Sequence, residues 1–402
     1  MSGSPLPVPP GISRLGRTSL GTGALFALAL LAGFAVDRAQ FFRSYLLGWV
    51  FWVGIAVGCL GLAMLNHLTG GLWGIVPRRF HEAAARTIPA MLVLFLPVLL
   101  GVSSLYTWAR PEVVAADEVL RKKALYLNVP FFAVRAVAYF AIWTLLAFAV
   151  SRLSRRQDDG PHPDPDRAAR LRGISGVGLV VLSGTTTFAA VDWGMSLAPH
   201  WFSTMYGVLF IVGWTLSALS FTIVLMARVA REAPFDRALR PVTVHDLGKL
   251  LLAFTMLWGY ANFSQFLIVW SGNVSEETPF YLHRLQGGWE IVAVALLVFH
   301  FALPFALLLS RPLKRSARAL AAVAALMLLM QLVDLFWLIG PDLVAHGKEA
   351  VPLRFHWMDL AAVIGLGGIW LFLFARQAGA GPVLPVGEPE IRELLAAGAE
   401  AR

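Results

Sequence analysis

The chain has 402 residues, of which 58% are hydrophobic and only 14% charged, and its mean hydropathy is +0.69. Soluble domains are roughly half apolar and a quarter charged, so a soluble single-domain protein is excluded. The formal net charge of +9 does not point to nucleic acid, because the basic residues fall in short stretches between apolar runs, where they report topology.

Apolar runs long enough to cross about 30 Å of hydrocarbon recur along the whole chain. Lipid forces each spanning segment to close its own backbone hydrogen bonds, which leaves helices or a closed barrel. Continuous runs of Leu, Ala and Val read as helices rather than as alternating strands. The fold class expected is therefore all-α, a polytopic membrane protein with ten segments, at residues 20–36, 45–67, 88–108, 129–153, 174–197, 204–227, 247–270, 289–309, 319–339 and 358–375. The first follows Arg14 and Arg17 like a signal peptide, but residues 34–40 lack a small-residue cleavage site, so it counts as a span. Residues 69–85 mix Gly70, Gly71, Trp73, Pro77 and Arg78 with Phe80, as expected of a piece lying at the membrane interface. The hydrophilic stretch 154–172 is a solvated linker, and the tails are expected to be mobile or covered by a partner.

Of the 33 basic residues, 23 lie in the tails, in the loops after even-numbered segments or, as Arg152 and Lys249, within three residues of those loops, 9 lie in the other loops, and Arg135 lies deeper inside a span. The positive-inside rule then puts both termini in the cytoplasm. A parallel repeat emerges when segments two to five are laid on segments six to nine. Gly48, Phe51, Val53 and Gly54 keep the spacing of Gly207, Phe210, Val212 and Gly213, while Asp192 and Asp334 are each followed seven residues later by a proline, Pro199 and Pro341. The organisation expected is a tail 1–19, a flanking helix 20–43, a four-helix bundle 44–199, a second bundle 200–341, a flanking helix 342–376 and a tail 377–402.

The single cysteine, Cys59, rules out a disulfide, a Cys-ligated iron–sulfur cluster and CxxCH haem attachment. Nine histidines, at 67, 81, 162, 200, 245, 283, 300, 346 and 356, offer no matched pair for a bis-histidine haem. Ionisable residues inside spans are rare and costly, so each is a candidate site. Arg135 and Asp192 lie at similar depth on neighbouring antiparallel segments, either as an ion pair or as separate solvated ends. In the second unit Glu290 takes the place of Arg135, and Gln331 and Asp334 share a face of the ninth segment. Two carboxylates brought close there would share a proton. Tyr260, Asn262, Ser264 and Gln265 make the seventh segment unusually polar, either as a proton-conducting string or as interhelical glue. His300, near mid-segment, is a relay bonded to Tyr260 or Gln265, or a satisfied core histidine. Near the cytoplasmic ends, Asn66 with His67, and His245 with Asp246 and Lys249, either feed a proton wire or are simply wet.

Several stretches resemble the ActF-type family of membrane subunits of alternative complex III, within the NrfD or polysulfide-reductase membrane-subunit superfamily. They are GWVFWVGIAVGCLGLAMLNHLTGGLWG (48–74), EAAARTIPAMLVLFLPVLLG (82–101), YLNVPFF (126–132), TFAAVDWGMSLAPHWFSTMYGVLFIVG (187–213), HDLGKLLLAFTMLWGYANFSQFLIVWSGN (245–273) and GGWEIVAVALLVFHFALPF (287–305). The resemblance implies two four-helix bundles with flanking helices. It also implies a place in a quinol:electron-acceptor oxidoreductase of a bacterial inner membrane. The partners implied are a multihaem cytochrome c, a monohaem cytochrome c, an iron–sulfur subunit and a larger paralogue that binds quinol. Quinol, haem c and iron–sulfur clusters would belong to those partners, and this chain would bind no cofactor, contributing a proton path or structural support. The resemblance places no catalytic motif on particular residues. Two rival readings remain: a quinol-binding subunit using Asp192, Arg135 and Tyr106, and a secondary transporter whose broken helix would lie at Gly365, Gly367 and Gly368.

Overall fold

A computed structural model describes residues 7–160, 164–344 and 352–400. His162, His346 and part of the linker and of both tails lie outside the described residues. Among the described residues the protein is all-α, with ten apolar helices long enough to cross a membrane. These are Pro10–Val36, Arg38–Thr69, Arg78–Leu100, Val129–Asp159, Pro165–Leu197, Met205–Val229, Pro241–Gly272, Trp289–Leu309, Ala317–Leu343 and Trp357–Ala378, numbered below as spans one to ten.

Spans two and six form the centre, with 89% and 78% of their most apolar windows buried. They are apolar all round because every face meets protein. Span two packs against spans three, five, six and ten, and span six against spans five, seven and nine. Glycines set the distance between the two central helices. A β-carbon at Gly58 would stand 2.3 Å from the Trp214 carbonyl oxygen, and one at Gly54 would stand 2.4 Å from the Trp214 ring. The first span lies along the tenth in the same way, with Gly23 against the Gly368 backbone and Gly16 against Ala375. Such small-residue contacts let helices approach closely where lipid supplies no hydrophobic drive between them. Gly367 receives the Trp52 ring. The tenth span is an unbroken helix, so its glycines serve packing and give no support to a transporter-like break.

Two expectations need correction. The third span begins at Arg78, ten residues before the expected start, and all eight residues of its first piece, Arg78–Ala85, are buried. The charged side chains enter the protein because partners meet them there, as described below. Pro89 and Pro97, which have no N–H to donate, divide the rest of this span into the short helices Ile88–Val93 and Leu96–Leu100. The C-terminal tail is also docked. Val383, Leu384, Ile391 and Leu394 are buried, and the Gly387 amide donates to Asp158 at 2.8 Å.

Gly368→Ala should drive a methyl group into the Gly23 backbone, at a cost typical of overpacking, about 1–3 kcal/mol. Thermal unfolding of the full chain in lipid nanodiscs should therefore occur at lower temperature. Gly21→Ala, whose β-carbon would meet nothing within 4 Å, should not lower it, and equal behaviour of the two variants would refute the close contact.

Candidate functional site: two intramembrane acids with different partners

In the first unit the acid meets a cation. Val129–Arg156 and Pro165–Trp193 are the long helices of spans four and five, and they carry Arg135 and Asp192 on facing sides. Arg135 grips Asp192 with Nε at 2.9 Å from Oδ2 and Nη2 at 2.8 Å from Oδ1. Tyr139 donates its hydroxyl to Asp192 Oδ2 at 2.8 Å, and Arg135 Nη1 donates to the Tyr126 carbonyl at 2.8 Å. The Tyr126 and Phe131 rings lie against the guanidinium, with centroids 3.8 and 4.4 Å away. The ion pair is present, and Asp192 is 1% exposed. Tyr106 adjoins the pair without bonding either side chain, donating its hydroxyl at 3.1 Å to the carbonyl of Trp193, the residue after Asp192. Tyr126 lies just outside the span, and burial pushes its hydroxyl pKa up to about 12, so at ordinary pH it stays a neutral partner of Arg135.

The second unit is built differently. Asp334 Oδ2 accepts from Trp258 Nε1 and from Gln331 Nε2, each at 3.0 Å. Both donors are neutral, and no ion pair to Asp334 occurs among the described residues. Glu290 is not its partner, contrary to expectation. Glu290 lies in the first turn of span eight, is exposed, and accepts from the Gly288 amide at 2.9 Å. A carboxylate is favoured at that positive end of a helix, where water also solvates it.

A cavity of about 20 Å³ opens beside Asp334, lined by Phe51, Phe210, Gly213, Trp214 and Gln331 among others. That is space for about one water. Gln331 Oε1 and Trp214 Nε1 are buried there without hydrogen-bond partners. Trp214 also lines a larger cleft, of about 170 Å³, between spans two, five, six and seven. His300 packs its ring on Trp258 with centroids 4.1 Å apart. It lies in a wide helical turn, Leu296–Ala302, and Pro304 follows without an N–H for the carbonyl four residues back.

The remaining candidates scatter. Both His300 nitrogens and both amide atoms of Gln265 are buried without partners, so no bond joins them to each other or to Tyr260. Tyr260 faces outward, 69% exposed. His245 Nδ1 is unpartnered, and Asp246 pairs with Lys249 at 3.0 Å. Asn66 belongs to a different group. Its amide nitrogen donates to the Gly70 and Gly71 carbonyls, and its oxygen accepts from Arg78 at 3.1 and 3.3 Å. His67 stands half-buried beside Arg78 and Arg79, and its Nε2 is unpartnered.

Residue chemistry alone missed two charged clusters. Arg284, fully buried, donates to the Phe280, Trp337 and Leu338 carbonyls and to Asp342 Oδ2 at 2.5 Å. Its signal was its isolation, as the only basic residue between spans seven and eight. At the other end of the molecule, Arg79 bonds Glu82 at 2.7 Å, Ser154 Oγ at 3.1 Å and Asp158, while Arg78 pairs with Glu388 of the docked tail. Among the described residues no group of three or more His, Cys, Asp or Glu is placed to hold a metal.

No family model matches the chain, and no curated protein matches it significantly.

Removing one partner of the Arg135–Asp192 pair leaves a buried charge, which costs about 3–5 kcal/mol, whereas removing both removes the imbalance. Arg135→Ala and Asp192→Ala should each reduce folded yield strongly, and the double variant should recover part of the loss. Additive losses would contradict the coupling.

Proposed function

We propose that the chain is a haem-free membrane subunit of a quinol-oxidising respiratory complex of the alternative complex III type, and that its second four-helix unit exchanges a proton at Asp334. The sequence stretches quoted above support the first part. One observation carries the second: Asp334 is buried, touches only neutral donors and borders a water-sized cavity. Asp192, by contrast, is held by a guanidinium and a phenol and sums with Arg135 to zero charge. A site that exchanges protons needs a titratable group with no fixed counter-charge, together with a path for water. Asp334 has no fixed counter-charge and has space for one water beside it, whereas Asp192 is held by Arg135.

In this reading the chain lies in a bacterial inner membrane with both termini in the cytoplasm. The larger paralogue binds quinol, cytochrome c and iron–sulfur subunits carry the electrons, and this subunit holds the assembly together and moves protons. Reporters fused after Arg156 and at the C-terminus should report cytoplasm, and a periplasmic signal at either would overturn the orientation. The native complex isolated through this chain should contain haem and iron–sulfur subunits, while the chain separated from them should show no visible absorption band. Asp334→Asn preserves shape and removes titration. It should assemble normally and lower the protons released per quinol oxidised in vesicles, and unchanged stoichiometry with unchanged turnover would leave Asp334 a structural residue.

A further inference from the structure

The turn between spans eight and nine and the first turns of span seven enclose a positive site on the side of the molecule that carries both termini. Lys314, in the helical turn Arg311–Arg315, is only 8% exposed, yet no hydrogen bond or ion pair of its ammonium group occurs among the described residues. Its stem lies across span seven at Gly248, where a β-carbon would stand 2.8 Å from Lys314 Cγ. One turn away, His245 Nδ1 is buried without a partner. Lys249, Lys314 and Arg311 all act electrostatically on that ring. Asp246 is the one acid that acts on it, and Lys249 already engages its carboxylate at 3.0 Å. Span seven also starts here without a side-chain cap.

The Lys314 stem is buried along span seven, while its ammonium group meets no anion among the described residues and is left to take one from outside. The lining groups are two cations, Lys314 and Arg311, and a ring nitrogen that donates when Nδ1 carries the proton, which together suit a tetrahedral anion with several acceptor oxygens. The level is that of a span end, where lipid headgroups lie. The adjoining outward faces of spans seven and eight expose Met256, Leu257, Leu303 and Leu307, an apolar surface for acyl chains. We infer that this site binds a phosphate group, supplied by an anionic phospholipid whose headgroup seats on Lys314 and whose chains run down these two spans. Basic pockets between helices on the cytoplasmic side are suited to such headgroups.

The test uses the full chain in nanodiscs of phosphatidylcholine with a minority of phosphatidylglycerol, reading the lipid retained through partial delipidation by native mass spectrometry. Phosphatidylglycerol should be retained over phosphatidylcholine. Lys314→Gln should lower that preference about fivefold, the ratio that about 1 kcal/mol per basic residue at a lipid surface gives, and Lys314→Arg should keep it. If Lys314→Gln does not fold, the exposed pair Lys249→Gln with Arg311→Gln carries the same expectation. Equal retention of both lipids, or a preference untouched by the folded variants, would overturn the site. Displacement of phosphatidylglycerol by millimolar inorganic phosphate would overturn the lipid source and assign the site to free phosphate.

Discussion

Hydrocarbon offers no hydrogen bond and no counter-ion, so a charged side chain carried into the spans is costly unless it finds its partner within the protein. That constraint explains where the charges of this chain lie. Arg135 is saturated by Asp192, a backbone carbonyl and two aromatic faces, and Arg284 by Asp342, three carbonyls and the Phe280 ring. Arg78 and Arg79 enter the protein together with Asn66, Glu82, Asp158 and Glu388. The last of these residues lies more than three hundred positions away. The docked C-terminal tail is therefore part of the charge balance of the third span.

Against that rule Asp334 stands out. Its two donors are an indole and an amide, and the cavity beside it holds two further unpartnered polar atoms. Spans five and nine thus each carry a buried acid, and the protein meets the two acids in different ways. One acid is paired with a cation across two spans, and the other meets only neutral donors. This difference is the physical basis for proposing proton exchange in the second unit and a bracing role in the first.

Much of the architecture was legible because apolar run length is set by bilayer thickness, and the ten runs correspond to the ten spans. The Arg135–Asp192 pair was legible for a related reason, since two opposite charges inside apolar runs have few alternatives to meeting. The start of span three was not legible. Arg78, Arg79 and Glu82 look like surface residues until the long-range partners Asp158 and Glu388 are known, and local sequence carries no sign of them. Arg284 and Asp342 sit just beyond their apolar runs and read as loop charges. Glu290 matched the repeat by spacing alone, but its position in the first turn of a helix gave it a local partner instead. Tyr260 and Gln265 differ in burial although both lie in one polar string, because the face of span seven turned to protein is fixed by its neighbours.

The central claim, that Asp334 is the titrating acid and Asp192 the fixed one, is tested most directly by infrared spectroscopy of the full chain in bilayers over a pH series. The account predicts a protonated-carboxyl carbonyl band that changes with pH, disappears in Asp334→Asn and persists when Arg135 and Asp192 are both replaced by alanine. A titrating band that survives Asp334→Asn, or one that vanishes with the Arg135–Asp192 pair, would contradict it.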